Sequence, residues 1–491
     1  MSFATAVRIE NVLPTSRRAP VLAALALGAL LGSACHDSSS GGGGESEAEL
    51  MAALHHWNGM AVDASGLDHT PGHLEHPGPG RSSRAMAMVH IALFEVVLAV
   101  RGGYTSYLGL APAAPGTSLR CALAQAAHDT LAPLYGLQAT AMDQELADEL
   151  TLVADSPAKS QGVALGQAAA AAVLALRNGD GSELPEPLYG IDYVPSDEPG
   201  KWRQDPISMH PLALGAHWSQ VTPFALASAD QFRCPPPPAL TSAEYTLAYE
   251  EVKVLGGDGV NTPTARSDEG TLVGLYWAYD GTPSLCAPPR LYNQIAFQIA
   301  QSMKSDLVET ARLLALVNIA MADAGIASWE SKYFYEFWRP VTGIRESEAG
   351  TGPSLLGDGN PNTVGDASFT PLGAPASNSG NPNFTPPFPA YPSGHATFGG
   401  ALFQTLRRFY GTDDIEFTFV SDEFNGVTED NLGNVRPLTP RTFHTLSEAE
   451  EENGQSRIYL GIHWMFDKTA GIAQGREVAD YVFDHLYPPA P

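Results

Sequence analysis

The chain has 491 residues, of which 44% are hydrophobic and 9% aromatic, a composition that fits a folded globular protein and excludes a disordered one. It carries 27 basic and 54 acidic residues, for a formal net charge of −27, so we expect no binding to nucleic acid, whose phosphates such a surface repels. Small anions would be repelled as well, and a site for one must be built from a local cluster of cations and backbone dipoles.

The N-terminal region is predicted to direct export. An apolar run over residues 19–31 follows two arginines and is too short for an ordinary membrane span. Small residues then lead to Cys35, which predicts a signal peptide over residues 1–35 and makes Cys35 a candidate for lipid acylation. Leu31 lies four positions before Cys35, where the usual lipoprotein signal has it three before, so a cleaved signal peptide and secretion stay open. A Ser/Gly linker over residues 36–46 would join a periplasmic or cell-surface lipoprotein to its anchor, the one expected membrane contact.

From about residue 47 onward, the sequence predicts many helices and little strand, because apolar residues recur at helical spacing. We expect an all-α helical bundle with two four-helix-bundle-like lobes, an N-terminal lobe over residues 47–240 and a C-terminal lobe over residues 241–491. The predicted helices span residues 84–100, 119–134, 139–154, 160–177, 242–254, 268–279, 290–304, 306–345, 394–410 and 447–486. Two Pro- and Gly-rich stretches, residues 183–238 and 346–392, are predicted to be long irregular loops, and the second is expected to line the active site.

The cysteines are too few for a disulfide framework and form no Cys-x-x-Cys motif. If Cys35 is lipidated, three remain, and they allow at most one bridge. Connectivity cannot be deduced from sequence; our working hypothesis is a Cys234–Cys286 bridge, with Cys121 as a free thiol.

Three separated segments concentrate residue types that can hold a tetrahedral oxyanion. In the first, Lys332 and Arg339 are seven residues apart, close to two helical turns, so a single helix would project both cations from one face. Pro340 marks where this helix must kink or end. Two basic residues usually lie on a solvated face, but six aromatic residues, Trp329 among them, surround this pair. This setting favours a functional role.

The second segment is Pro392-Ser393-Gly394-His395, at a predicted junction between a loop and a helix. Backbone N–H groups at a helix N-terminus form a ready anion site. Ser393 can add a hydroxyl donor, and His395 can exchange protons near neutral pH. Taken alone, the motif is also ordinary helix-capping chemistry.

The third segment contains Ser456-Arg457, Gly461, His463 and Asp467. On a helix, His463 and Asp467 would lie one turn apart, so Asp467 could orient the imidazole, and Arg457 could reach the same cavity. An interior histidine satisfied by a carboxylate would give the same pattern. The three segments together nevertheless predict a phosphate-like anion site, the oxyanion cage, formed by Lys332, Arg339, Ser393, Gly394, His395, Arg457 and His463.

The patterns K-x6-R-P, P-S-G-H and S-R-x3-G-x-H-x3-D are similar to the three active-site motifs shared by vanadium-dependent haloperoxidases and type 2 phosphatidic acid phosphatases. Longer stretches resemble fungal vanadium chloroperoxidases. These stretches are residues 275–281, 288–295, 328–340, 386–404 and 456–467. The N-terminal half resembles those enzymes only in outline, and the chain lacks their long insertion after Asp467.

This resemblance implies a vanadate(V) cofactor bonded to His463, with hydrogen peroxide and a halide as substrates. The residues that it implies as contacts of the vanadate oxygens are Lys332, Arg339, Ser393, Gly394 and Arg457. His395 would be the acid–base for peroxide, Lys332 would also polarise peroxide, and Asp280 would hold Arg457 in place.

The resemblance also bears on the halide. Trp329 and Phe388 match the halide pocket of the chloroperoxidases, whereas algal bromoperoxidases carry a histidine in place of Phe388. We therefore expect oxidation of chloride, and of bromide with it, to hypohalous acid.

Two other functions stay open. The oxyanion cage could bind phosphate, with the same histidine as the nucleophile of a vanadate-inhibited acid phosphatase, although Trp329, Phe388 and the long matching stretches favour the peroxidase. A metal-binding or purely structural lipoprotein is the other. Five N-terminal histidines could suggest zinc, but they lack a clean i, i+4 pair with carboxylates. They are His55, His56, His69, His73 and His76.

Overall fold

Helices dominate the computed structural model, which describes residues 45–490 and within that range contains thirteen α-helices and one two-stranded sheet. The all-α prediction is confirmed. The helices are α1 (Glu47–Asp68), α2 (Pro79–Arg101), α3 (Leu119–Leu134), α4 (Ala139–Thr151), α5 (Pro157–Leu176), α6 (Ala243–Leu255), α7 (Asp268–Tyr276), α8 (Pro288–Ser302), α9 (Leu307–Tyr335), α10 (Pro340–Arg345), α11 (Gly394–Tyr410), α12 (Leu446–Tyr459) and α13 (Met465–His485). Strands β1 (Phe417–Val420) and β2 (Pro440–Phe443) pair antiparallel. The predicted signal peptide and the acylation of Cys35 lie outside the described residues.

Helix starts follow local capping chemistry. Ser46 and Asp306 begin α1 and α9 with capping boxes, in which the cap side chain and a glutamate three residues later bond each other's backbone N–H. Pro79 and Pro288 occupy the first turns of α2 and α8. Backbone N–H groups in the first turn have no acceptor within the helix, so the N–H that proline lacks costs no helical hydrogen bond. These signals are local, which is why the sequence predicts most of the helices correctly.

The long helix α9 lies in the core of the fold. It packs against α2, α8, α11 and α13, and α2 in turn packs against α3 and α5. Both α2 and α9 are long and apolar enough to cross a membrane, but their most apolar windows are 89% and 94% buried inside the protein. Burial on all sides is expected of core helices. The lobe boundary at residue 240 stays a prediction.

Helices α11 and α13 approach each other closely, and this contact sets the positions of the second and third motifs. A Cβ atom at Gly471 of α13 would lie 2.7 Å from the Ser393 carbonyl oxygen, and one at Gly475 would overlap the Thr397 carbonyl. Only glycine permits this approach. The N-termini of the two helices, with His395 on one and His463 just before the other, are thereby brought side by side.

The prediction of one helix over residues 306–345 is wrong. Helix α9 ends at Tyr335, and Glu336 adopts a left-handed conformation with φ of 52°. The freed backbone groups bond to a segment far away in sequence. Trp202 N–H donates to the Glu336 carbonyl at 2.6 Å, and Trp338 N–H donates to the Gly200 carbonyl at 2.9 Å.

The single helix predicted over residues 447–486 is also interrupted. Between α12 and α13, Gly461 has φ of 73°, and a Cβ atom there would overlap the Gly256 carbonyl and lie 2.9 Å from Pro371 Cβ. His463 therefore stands in a short connection before α13, not on a helix.

The Cys234–Cys286 bridge is wrong, because Cys121, Cys234 and Cys286 are all free and buried. Cys234 belongs to an apolar cluster, and its thiol points toward the Ala470 carbonyl at 3.8 Å. Cys286 lies in the turn before α8, beside His69. Each thiol is packed separately.

Candidate active site

A cavity of about 560 Å³ is lined by residues of all three motif regions. Trp329 comes from the first, Gly394 and His395 from the second, and Arg457 and His463 from the third. Lys332 and Arg339 do not line it but lie directly behind, since Arg339 Nη1 is 2.9 Å from His463 Nε2. The structure thus brings the predicted oxyanion cage together at one place.

His463 is fixed in one tautomer. Its Nδ1 is 2.8 Å from a carboxylate oxygen of Asp467, which also accepts from the Trp464 N–H at 2.9 Å. Because a carboxylate accepts, Nδ1 carries the proton, and the lone pair on Nε2 faces the Arg339 guanidinium. Burial and the charges of Arg339 and Lys332 hold the pKa of His463 well below its ordinary value. A neutral imidazole with a carboxylate on its other nitrogen is the usual form of a metal-ligating histidine.

His395 is fixed by a backbone carbonyl. Its Nε2 lies 2.5 Å from the Ala278 oxygen, so Nε2 carries the proton and Nδ1 is left as the basic nitrogen. Burial and the Arg457 charge hold the pKa of His395 well below its ordinary value. Tyr292 and Asn453 each donate to the His395 carbonyl at 3.0 Å, which anchors the backbone. The ring is therefore a neutral base beside the cage.

The two arginines present donors that have no acceptor. Arg339 donates to the carbonyls of Phe388 and Ile462, each at 2.9 Å, but its Nη2 is buried without a partner. Arg457 Nη2 donates to Asp280 Oδ1 at 2.6 Å, the contact that the resemblance implied, and these side chains are only 1% and 4% exposed. Arg457 Nε and Nη1 are buried without partners. Unmatched buried donors are costly, so an anion acceptor fits here.

Lys332 contributes charge to the cage. Its Nζ donates to the carbonyls of Pro389 at 3.0 Å, Ala390 at 3.1 Å and Pro392. Burial and the nearby Arg339 hold the pKa of Lys332 well below its ordinary value. The three ammonium hydrogens are all taken by carbonyls, so direct contact with an oxyanion would require exchanging one of them.

Ser393 and Gly394 form the N-terminus of α11. Ser393 is the N-cap, fully buried, and its Oγ accepts a long bond of 3.5 Å from the Ala396 N–H. A Cβ atom at Gly394 would lie 3.3 Å from two ring carbons of Trp329. The glycine leaves room for the indole against the start of this helix.

Trp329 and Phe388 form an apolar wall of the cavity. Their ring centroids are 4.8 Å apart, and the rings are inclined by 55°. The Trp329 indole N–H is engaged by the Leu214 carbonyl at 3.0 Å. Lys332 Nζ lies 5.1 Å, and Arg339 Cζ 5.0 Å, from the Phe388 centroid, close enough for cation–π attraction. The predicted halide pocket is thus adjacent to the cage cations.

The remaining wall is rich in proline and leucine. It includes Pro71, Leu74, Pro77, Pro211, Leu212 and Pro387. The lining residues within the described range include no methionine or cysteine. The loop over residues 346–392, predicted to line the site, contributes Pro387 and Phe388 among others.

Sequence reasoning missed the backbone groups of the site. The Ala278 carbonyl, which fixes His395, carries no signal in its side chain, and neither do the three carbonyls around Lys332. Glu423, a buried carboxylate that accepts from the N–H of Tyr279, next to Asp280, was also missed, because its segment matches no motif.

The N-terminal histidines do not form a metal site. Within residues 45–490, no group of three or more His, Cys, Asp or Glu side chains is arranged to hold a metal ion. His55 stacks on Phe297 with centroids 4.7 Å apart, and His69 accepts from the Gly78 N–H at 2.9 Å. They have separate packing roles.

Comparison with known proteins agrees with this geometry. The model of the VCPO second helical-bundle domain matches residues 312–488. The vanadium chloroperoxidase of Curvularia inaequalis is 32% identical over an alignment of 497 positions, which spans 84% of this chain and 78% of that protein. A bacterial vanadium-dependent iodoperoxidase superposes with a TM-score of 0.69 at 24% identity, covering 89% of this chain and 97% of the other. An apo-type bacterial vanadium-dependent chloroperoxidase gives 0.64 at 15% identity, covering 83% and 94%.

Proposed function

This chain belongs to the vanadium haloperoxidase family, and from that membership we propose that it binds vanadate and uses hydrogen peroxide to oxidise chloride and bromide to hypohalous acid. One observation carries the proposal. Buried guanidinium N–H groups of Arg339 and Arg457 without acceptors lie around a neutral histidine whose Nε2 lone pair is unprotonated. A tetrahedral oxyanion able to bond a histidine nitrogen meets both requirements.

The residues that would hold vanadate differ in what they contribute to the bound anion. His463 Nε2 would be the ligand, and Arg339 and Arg457 would donate to the anion's oxygens. The N-terminus of α11 at Gly394 adds its dipole, and Lys332 adds charge from behind. When bound, vanadate supplies a Lewis-acid centre that activates hydrogen peroxide toward halide.

His395 is the proton acceptor in this proposal. Its Nδ1 is available because Nε2–H is committed to the Ala278 carbonyl. The low pKa of the ring keeps Nδ1 unprotonated in the empty cage, and the neutralising charge of a bound anion would raise that pKa. His395 can therefore take a proton from hydrogen peroxide as it enters and return it to the leaving product.

Chloride oxidation rests on the apolar wall. Phe388 packs over the Arg339 guanidinium and against Trp329, so this side of the cavity offers no side-chain donor or acceptor to water, apart from the indole N–H, which is bonded to a carbonyl. Limiting water beside the oxidant raises its reactivity toward chloride, the halide that is hardest to oxidise.

The test starts from purified protein stripped of vanadium and titrated with orthovanadate. Halogenation of a reporter dione would be followed with chloride and separately with bromide, alongside hydrolysis of a phosphate ester. Vanadate-dependent halogenation that disappears in His463→Ala supports the proposal. The matched control is His444→Ala, which changes an exposed histidine paired with Glu416.

The same assay separates the second candidate, an acid phosphatase on the same cage. Unmatched arginine N–H groups can donate to phosphate as readily as to vanadate, so this function has the same structural basis. Ester hydrolysis inhibited by vanadate, with no halogenation of either halide, would overturn the haloperoxidase assignment in its favour.

A further inference from the structure

One short segment, Tyr276–Asp280, serves two residues of the oxyanion cage at once. The Ala278 carbonyl accepts from His395 Nε2 at 2.5 Å, and Asp280 accepts from Arg457 Nη2 at 2.6 Å. The segment follows α7 and has no regular secondary structure after Tyr276. Its position must therefore be set by contacts with other parts of the chain.

Three of those contacts come from residues 421–423, and others come from Phe419 and Glu452, which accept from the Tyr276 hydroxyl and the Trp277 indole. Ser421 Oγ donates to the Tyr276 carbonyl at 2.6 Å, and the Asp422 N–H donates to the Tyr279 hydroxyl at 2.6 Å. The Tyr279 N–H donates to Glu423 Oε1 at 3.3 Å. Tyr279 has φ of 45°, a conformation that a tyrosine rarely adopts without such support.

Glu423 is the member of this set that holds the segment through its carboxylate. Its side chain is completely buried, and its Oε2 accepts from Arg436 Nη1 at 2.5 Å and from Ser377 Oγ at 2.6 Å. Arg436 also donates to Ser377 at 2.8 Å. Both carboxylate oxygens of Glu423 thus accept from donors on three separate parts of the chain, one of them Tyr279.

We propose that Glu423 is a positioning residue for the oxyanion cage, acting through segment Tyr276–Asp280 on the His395 imidazole and the Arg457 guanidinium together. The proposal rests on the proposed function, in which those two side chains serve a bound oxyanion. No contact joins Glu423 to the cage directly, so its effect must travel through the segment.

A glutamine cannot replace Glu423 in this setting. Three donors face the carboxylate, and an amide has one oxygen. Whichever way it is turned, the Glu423→Gln amide nitrogen would meet either the Tyr279 N–H or the Arg436 cation. When two buried donors face each other, the hydrogen bond is lost and both N–H groups are left without an acceptor. The Tyr276–Asp280 segment would shift to relieve it.

The experiment measures anion affinity on the vanadium-free full chain by isothermal titration calorimetry, with orthovanadate and inorganic phosphate as probes. Loss of a partner that orients a ligating group typically weakens affinity about 10- to 100-fold, and we expect a weakening of this size for both anions in Glu423→Gln. The matched control is Asp180→Asn, a carboxylate 2% exposed that pairs with Arg84 and Arg177 at 2.7 Å, away from the cage. We expect its affinity to be unchanged.

A double variant tests whether Glu423 acts through the segment Tyr276–Asp280. If Glu423 acts through the segment, the loss of phosphate affinity in Glu423→Gln combined with Asp280→Asn should be clearly smaller than the sum of the two single losses, because both changes disturb Arg457 through the same segment. Additive losses would overturn the proposal, as would wild-type affinity in a folded Glu423→Gln or an equal loss in Asp180→Asn. An unfolded fraction would also weaken the apparent affinity, so urea unfolding must show each variant to be fully folded at the titration temperature before its dissociation constant is compared.

The two proposals fail separately. A wild-type protein that binds phosphate but never halogenates would refute the haloperoxidase assignment and still allow the Glu423 comparison. A wild-type protein that binds neither anion would overturn both.

Discussion

The carboxylate of Asp467 offers the sharpest test of how the site is organised. One of its oxygens accepts from both His463 Nδ1 and the Trp464 N–H, while the other is buried without a partner. Asp467→Ala removes the shared acceptor. Each stranded buried donor destabilises the fold by about 1–3 kcal/mol, and the His463 ring loses the bond that fixes its tautomer.

Asp467→Asn separates the acceptor from the charge. Its amide oxygen can take the shared position and accept from both N–H groups, and its NH₂ falls where the wild type has an unpartnered oxygen. Burial raises the pKa of Asp467 to about 7, so near neutral pH part of the population has already lost this charge. We therefore expect the acceptor to matter more than the charge.

The affinity for orthovanadate is the quantity to measure. Loss of an orienting partner costs about 10- to 100-fold, or about 1.4–2.7 kcal/mol, and we expect Asp467→Ala to fall in this range and Asp467→Asn to stay below it. Calorimetric titration of the vanadium-free variants gives the affinities, and urea unfolding gives the stabilities. Equal losses in the two variants, or wild-type affinity in a folded Asp467→Ala, would refute the reasoning.

Three further outcomes follow from the same contacts. Gly475→Ala should lower the free energy of unfolding by about 1–3 kcal/mol, because its Cβ would overlap the Thr397 carbonyl; an unchanged urea midpoint would contradict this close approach. Phe388→His should lower the ratio of chloride to bromide oxidation rates, and an unchanged ratio in initial-rate assays would remove the apolar-wall argument. Phosphate affinity should fall as pH rises through the pKa that Lys332 has in the complex, because burial and Arg339 lower the pKa of Lys332 in the empty cage and a bound anion raises it, so binding takes up protons in the pH range between the two values. Calorimetry in buffers of different ionisation enthalpy should find less uptake in Lys332→Met; equal proton counts would show that Lys332 is not the group involved.

The structure brings the residues predicted for the oxyanion cage together, but the sequence gives a wrong reason for the convergence of one pair. Lys332 and Arg339 were expected on one helix face. They converge instead because α9 stops at Tyr335 and Glu336 turns the chain, with its freed carbonyl bonded to Trp202. A partner more than a hundred residues away leaves no trace in local periodicity, so the break could not be predicted.

Other parts of the site depend on main-chain atoms. The carbonyl that fixes His395 belongs to Ala278, and those around Lys332 belong to Pro389, Ala390 and Pro392. Main-chain acceptors exist at every position, so only the folded backbone shows which are used. Side-chain motifs predict which residues form the cage, and long-range packing determines how those residues are held.

The proline-rich cavity wall has a consequence for the durability of the protein. Hypohalous acid attacks thioethers and thiols, and it exchanges halogen onto amide N–H groups. The lining within residues 45–490 presents no methionine or cysteine sulfur, and each proline replaces a backbone N–H with ring carbon. In the proposed reaction, hypohalous acid leaving past Pro387, Pro211 and Pro71 would therefore meet no sulfur and few backbone N–H groups on this wall, and the side chains left for it to attack would be aromatic and imidazole rings such as Trp329 and Tyr279.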